Sequence, residues 1–313
     1  MKRLYDFSGS VIAASFATPE AYGAVGDGVV DDSSAIQSVI NDKGLIVFTA
    51  GKTYKVTKTI RISKDTCIDL NGSTIISTNK HLFFNFLTSD VFTEYNGNGN
   101  ITICNGNIVG GAISFAHAEN VRLENVNFKN SLNDHFLEIC GCKNYVIENC
   151  SFVGMADVQT SVYEYINLDP CTHSAFPWLT DGSVFYDGIK NNGIKIRNCL
   201  FALGESTYAY GFNAFGVHGV AGVNDKHKRI EVVNNRITGF TGCGLRINDM
   251  EDVVIFDNYI NVVGDGIRVG DVGQSTNVLI KGNVISATGT PVTKENSSTV
   301  FQSADNDINP TFT

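Results

Sequence analysis

Four short segments of this chain place acids, an amide and two arginines at one repeated position: His135-Phe-Leu-Glu-Ile139, Tyr165-Ile-Asn-Leu-Asp169, Gly244-Leu-Arg-Ile-Asn248 and Gly266-Ile-Arg-Val-Gly270. Aligned on the apolar residues Ile139, Leu168, Ile247 and Val269, strand alternation sends Glu138, Asn167, Arg246 and Arg268 to the same side. Glu138 and Asp169 then fall on neighbouring copies. Paired carboxyls about 5 Å apart suit a retaining glycosidase and about 6.5–9.5 Å an inverting one. Glu164, Asp134 and Asp265 lie at the margins, and adjacent carboxylates push their pKa values apart, which separates acid from base. The same residues fit elimination: Arg246 or Arg268 would neutralise a uronate carboxylate while His218, His135 or Tyr165 takes the C5 proton. The coil between is read as Phe212–His218, where Asn213 or His218 extends the stripe.

These residues need a rigid frame, and a second repeat supplies it. Strand-and-turn copies start at Val121, Val146, Ile194, Ile230, Val253 and Val278; their central apolar residues Leu123, Ile147, Ile196, Val232, Ile255 and Ile280 are separated by 24, 49, 36, 23 and 25 residues. A period near 24 with longer steps describes a solenoid whose loops bulge from one side. One column reads Phe128, Phe152, Phe201, Ile237, Ile260, Ile285, an interior stack; another reads Val126, Cys150, Cys199, Asn235, Asn258, Asn283, small or amide side chains suited to a corner. Fainter copies occur at Cys67–Ile75 and Asn100–Ile108. The pattern predicts an all-β chain: a single-stranded parallel β-helix, right-handed by the chirality of parallel crossovers, over residues 45–290, with an N-terminal segment 1–44 and a cap or tail 291–313. Coils stacked about 4.8 Å apart would spread the stripe over about 19 Å, room for several sugar units.

The 49-residue step inserts a long loop beside the stripe, with Tyr163, His173, Phe176 and the single tryptophan, Trp178. Together with Tyr165 these rings could stack on sugars; loops on rigid scaffolds carry function, although the same rings could simply pack the loop.

Charged residues make up 18% of the chain and the formal charge is -9, with no Lys/Arg cluster; nucleic acid is thereby excluded as a partner. No stretch reaches the length of a membrane span, and Asp6, Ser8, Gly9 and Ser10 interrupt what would be the apolar part of a signal peptide. The eight cysteines lack metal-site spacing and read as reduced core or turn residues. His81, His117 and His227 read as surface or turn residues.

The segment Ala21-Tyr-Gly-Ala-Val-Gly-Asp-Gly-Val-Val-Asp-Asp-Ser-Ser-Ala-Ile-Gln37, followed by Phe48-Thr-Ala-Gly-Lys-Thr-Tyr54, closely resembles the opening of the pectate-lyase-like β-helix superfamily, common in bacteriophage tailspikes and in polysaccharide lyases, hydrolases and epimerases. In physical terms Asp31 or Asp32 can cap a helix with Ala35, Ile36, Val39 and Ile40 at helical spacing, ending at Asp42 and covering the open end of the solenoid. No cofactor is called for, though Asp27, Asp31 and Asp32 have the chemistry for weak calcium binding. The resemblance implies a depolymerase cleaving a surface or uronate-containing polysaccharide, homotrimeric, carried on a virion tail or an extracellular surface after cytoplasmic assembly. The alternatives are a noncatalytic glycan-binding or structural tail module and a C5-epimerase; Asp169-Pro-Cys-Thr-His173 departs from the epimerases' Asp-Pro-His by two inserted residues.

Overall fold

The computed structural model describes residues 16–63, 65–86, 90–132, 135–156, 164–176, 186–204, 213–217, 225–271, 273–302 and 305–310. Each coil contributes a strand to three parallel ladders. Face one runs from Leu45–Val47 through Lys143–Glu148 and Met250–Phe256 to Val300–Gln302. Face two runs from Asp27–Asp31 through Ser151–Met155 and Tyr259–Val262 to Asp307–Ile308. Face three runs from Ile60–Arg61 through Leu137–Cys140 and Glu164–Asp169 to Val292–Lys294.

The sequence repeat is the passage from face one to face two. At that corner Asn105, Asn125, Asn149, Asn198, Asn234, Asp257 and Gly282 all take left-handed φ, between 53° and 70°, a conformation that Asn, Asp and Gly enter at least cost. The next residue in each coil turns inward and forms the expected corner column. Its asparagines hydrogen-bond along the axis: Cys199 N to Asn235 Oδ1 at 2.9 Å, Asn235 N to Asn258 Oδ1 at 2.9 Å, Asn258 N to Asn283 Oδ1 at 2.9 Å and Asn283 N to Asn306 Oδ1 at 3.0 Å. Each amide also donates to the carbonyl of a coil behind it, as Asn258 does to Val232 at 2.8 Å, so no buried polar group in the ladder is wasted. Beside it Phe128, Phe152 and Phe201 stack at 4.9 and 5.0 Å, and isoleucines continue the column.

The helix Ser33–Asp42 buries Ile36, Val39 and Ile40 against the first coils. Asp32 occupies the N-cap position but makes no side-chain bond to the helix. It accepts instead from Val25 N at 2.7 Å and Gly26 N at 3.2 Å, closing the glycine-rich turn. Asp31 accepts from Ser33 N at 3.1 Å and Thr57 Oγ1 at 2.6 Å; burial would raise its pKa, but those donors outweigh it and hold it at about 2. Asp27 accepts from Val29 and Val30 N–H at 2.8 and 2.9 Å. The acidic run weighed for calcium thus has its carboxylates turned onto local N–H groups, and no metal-holding cluster of His, Cys, Asp or Glu occurs among the described residues.

The coils reach beyond the limits read from the sequence. Asp27–Asp31 already pairs with Thr53–Val56, and residues 292–308 add another turn of all three ladders. All eight cysteines are free thiols, seven of them buried. His117 and His227 are also fully buried, against the surface reading. Polar partners explain this: His117 Nδ1 lies 2.7 Å from the Glu94 carbonyl, and His227 Nδ1 accepts from Asn191 N at 3.1 Å.

Candidate functional site

On face three the register is the one the apolar alignment predicts: Glu138 is paired with Asn167, Cys140 with Asp169, and Arg246 with Arg268. The outward column reads Phe84, Ser114, Glu138, Asn167, Gly216, Arg246, Arg268 along successive coils. Gly216, rather than Asn213, stands in this column on the coil that the sequence left open, because the Phe215–Leu245 pairing sets its register.

A corner feature adds a second outward column. Each strand enters the face with two consecutive inward residues, Phe136–Leu137, Tyr165–Ile166 and Ala214–Phe215, all in the core. The residues just before them, His135, Glu164 and Asn213, therefore face out. The same feature corrects the placement of Tyr165, which simple alternation sends outward with Asn167. Its ring is packed between Phe136 and Phe240 at 5.0 and 4.8 Å. Its hydroxyl donates to the Ala202 carbonyl at 3.2 Å, and burial raises its pKa. It is neither a sugar platform nor a base for a substrate outside the coil.

Between the two columns the side chains converge. His135 Nδ1 lies 2.6 Å from the Glu164 carbonyl oxygen, and its Nε2 is 3.3 Å from Glu138 Oε2. A carbonyl only accepts, so Nδ1 carries a proton. Nε2 is thereby left to face Oε2, so a proton bound by either group can pass to the other across the 3.3 Å gap. Glu138 Oε1 accepts from Asn167 Nδ2 at 3.0 Å and from the Cys140 thiol at 3.4 Å; burial and then the Glu138 charge push that thiol's pKa up. Asp169 stands one coil on from Cys140, 3% exposed.

Glu164 is held differently. Its carboxylate accepts from Asn213 Nδ2 at 3.2 Å and Arg246 Nη1 at 3.4 Å. The side chain crosses Gly216 to reach that arginine: a Cβ at Gly216 would lie 2.3 Å from Glu164 Cγ. Arg246 Nε also donates to Asp271 Oδ2 at 3.0 Å, Arg268 Nη1 lies 3.6 Å from the same oxygen, and Arg268 bonds Asp265 as well. Burial tends to raise the Asp265 pKa, yet Arg268 and the Thr290 N–H lower it overall. Asp271 was missed in the sequence because it follows its strand, outside the period.

The long loop borders the Asp169 side. Phe176 is buried against Phe86 at 5.2 Å in a small apolar cluster with Phe84, Ala116, Cys140 and Cys171, so this ring anchors the loop. His173 is exposed, edge-on to Tyr186 at 5.4 Å. Tyr95 donates to the Lys190 carbonyl at 2.9 Å and Glu94 N to Asp187 Oδ2 at 2.6 Å, tying a second loop to the wall. Trp178, His218, Asp134 and Tyr163 lie outside the described residues.

Three parallel ladders, a corner asparagine stack and a capping helix make this a right-handed parallel β-helix, and solved structures share that fold. The chain is similar to plasmin and fibronectin-binding protein A of Streptococcus pneumoniae R6, with 27% identity over 301 residues, 81% of this chain and 40% of that protein. It thus spans about two fifths of the length of the curated relative it matches. The crystal structure of PfbA, a surface adhesin of S. pneumoniae, gives a TM-score of 0.75 at 23% identity, covering 94% of this chain and 79% of that one. A tailspike mutant of E. coli bacteriophage HK620 in complex with a hexasaccharide gives 0.56 at 14% identity, covering 97% and 64%. No protein-family model matches the sequence.

Proposed function

We propose that the chain binds an extended polysaccharide along face three, outside the cell, and hydrolyses a glycosidic bond there. The observation that carries this reading is the placing of Glu138 and Asp169 on the same side of adjacent coils, with His135 Nε2 3.3 Å from Glu138 Oε2, near enough to pass it a proton. Glu138 would donate that proton to the glycosidic oxygen as the bond to C1 breaks. Asp169 would either activate a water or attack C1 itself, and the anomer released distinguishes the two. His135, held by the Glu164 carbonyl, is a positioning residue that returns a proton to Glu138. The saccharide-bound tailspike and the surface adhesin among similar folds support a glycan-facing, extracellular role.

Charge favours hydrolysis over elimination or epimerisation. Both of those need a cation to neutralise a uronate carboxylate. Arg246 and Arg268 already face three carboxylates, Glu164, Asp265 and Asp271, leaving the group one negative charge in excess. Tyr165, one of the candidate proton acceptors, is inside the coil.

The test is release of reducing ends from a panel of bacterial surface polysaccharides, with unsaturated uronate followed in parallel. Reducing ends without new absorbance, lost in both Glu138→Gln and Asp169→Asn, are expected. New absorbance would sink the hydrolytic assignment. Binding without any cleavage would establish the second reading, a noncatalytic adhesive module. What favours that reading is the engagement of Glu138 and Glu164 by Asn167, Asn213 and Arg246, together with the adhesin similarity. We further propose the homotrimer implied by the superfamily resemblance; a light-scattering mass of one chain would remove it.

A further inference from the structure

We propose that the cleft at the corner between faces one and two is a second saccharide site, taking one uncharged sugar residue of a glycan. The cavity measures about 400 Å³ and is lined by the corner residues Asn198, Asn234 and Asp257 and the face-two residues Leu200, Arg236 and Tyr259. The register sets Leu200, Arg236 and Tyr259 directly over one another on three successive coils. The two coils before them carry Asn127 and Ser151 in that column, so the large side chains begin where the cleft begins.

The lining has the chemistry of a sugar site. The Arg236 guanidinium lies 4.4 Å over the Tyr259 ring. A guanidinium held over a ring in a cation–π contact still has N–H groups to offer acceptors. Arg236 is exposed, and neither it nor Asp257 forms an ion pair among the described residues. Arg236 therefore offers donors and Asp257 acceptors, while the paired amides of Asn198 and Asn234, 2.7 Å apart, offer both. Leu200, 36% exposed, gives an apolar surface. A sugar ring has the matching set: hydroxyls that donate and accept, and an apolar C–H face. One cation and one anion cancel, so the cleft has no net preference for a charged sugar, and the chain's charge of -9 repels polyanions. The cleft uses no residue of face three, so occupancy here is independent of cleavage there.

Saturation-transfer NMR on the whole chain, with cellobiose, maltose and N-acetyllactosamine as probes and a galacturonate trisaccharide as the anionic control, tests the assignment. At least one neutral probe should receive saturation, with affinity reduced about tenfold or more in Arg236→Ala and in Asp257→Ala and unchanged in Glu138→Gln. Thermal unfolding of each variant checks that the coil is intact. The proposal fails if no neutral probe binds at millimolar concentration. It also fails if binding survives both cleft substitutions, is lost in Glu138→Gln, or is confined to the galacturonate.

Discussion

Replacing Gly216 by alanine isolates one contact. Gly216 does not have a left-handed φ, so alanine suits its backbone; the obstacle is the Glu164 side chain, whose Cγ would lie 2.3 Å and whose Oε1 would lie 3.0 Å from the new methyl. Contacts that close force Glu164 off the strand. Displacement gives up the bonds to Asn213 at 3.2 Å and Arg246 at 3.4 Å. Hydrogen bonds to charged groups contribute about 1.5–3 kcal/mol each, and both of these are long. The low end applies, so Gly216→Ala should destabilise by about 3 kcal/mol in urea unfolding. In a Glu164→Ala background the methyl has nothing to displace and should cost under about 0.5 kcal/mol, leaving a coupling energy of about 2.5 kcal/mol. An undiminished cost in that background, or a neutral single variant, would refute the reading of Gly216 as the gap through which Glu164 reaches Arg246.

Burial holds the His227 pKa well below its ordinary value, with Lys190 adding to the effect. Its unfolded form takes up a proton below about pH 6.5 while the folded form does not, so stability should fall by up to about 1.4 kcal/mol per pH unit below that point; the slope should shrink in His227→Gln, measured by urea titration from pH 7 to 5. Asn258→Ala removes an acceptor for Asn235 N and a donor to Val232 inside the coil, with an expected cost of about 2–4 kcal/mol; an unchanged unfolding midpoint would contradict the ladder's role. A thiol reagent should modify one cysteine quickly in the folded chain, Cys67, and all eight after denaturation; two or more fast thiols would show that the coils open.

The parts of the site that were legible in the sequence are those set by apolar registration. Ile139, Leu168, Ile247 and Val269 have to stack inside the coil, and that fixes Glu138 against Asn167 and Arg246 against Arg268. Where long steps separate coils, the same reasoning loses its anchor: the Asn213–Gly216 strand holds only Ala214 and Phe215 inside, two adjacent residues with no alternation to count from. Tyr165 fails for a related reason. Period two assumes a straight strand, and Tyr165 sits where the chain rounds a corner, where neighbours can both point inward. Asp271 and the buried His227 depend on contacts between coils, which no local pattern encodes.

The corner that misplaces Tyr165 is also what makes a polar cluster possible on this face. A straight strand would present one outward residue per coil beside Glu138's column, spaced about 4.8 Å from the next and flanked by solvent. Two inward residues at the entry bring a second column, His135, Glu164, Asn213, alongside the first. Side chains can then bond across columns within a coil, as His135 does with Glu138, or across two coils, as Glu164 does with Arg246. Burial follows from that crossing: Glu138, Glu164 and Asp169 are each under 10% exposed although they lie outside the hydrophobic core. Carboxylates in such a position carry a desolvation cost that an ordinary solvated face would not impose. An acid, an amide, an imidazole and an arginine are drawn together there, nearly closed to solvent, whereas the charged residues of face one, such as Arg122 with Glu148, pair with their side chains still about a third and a quarter exposed.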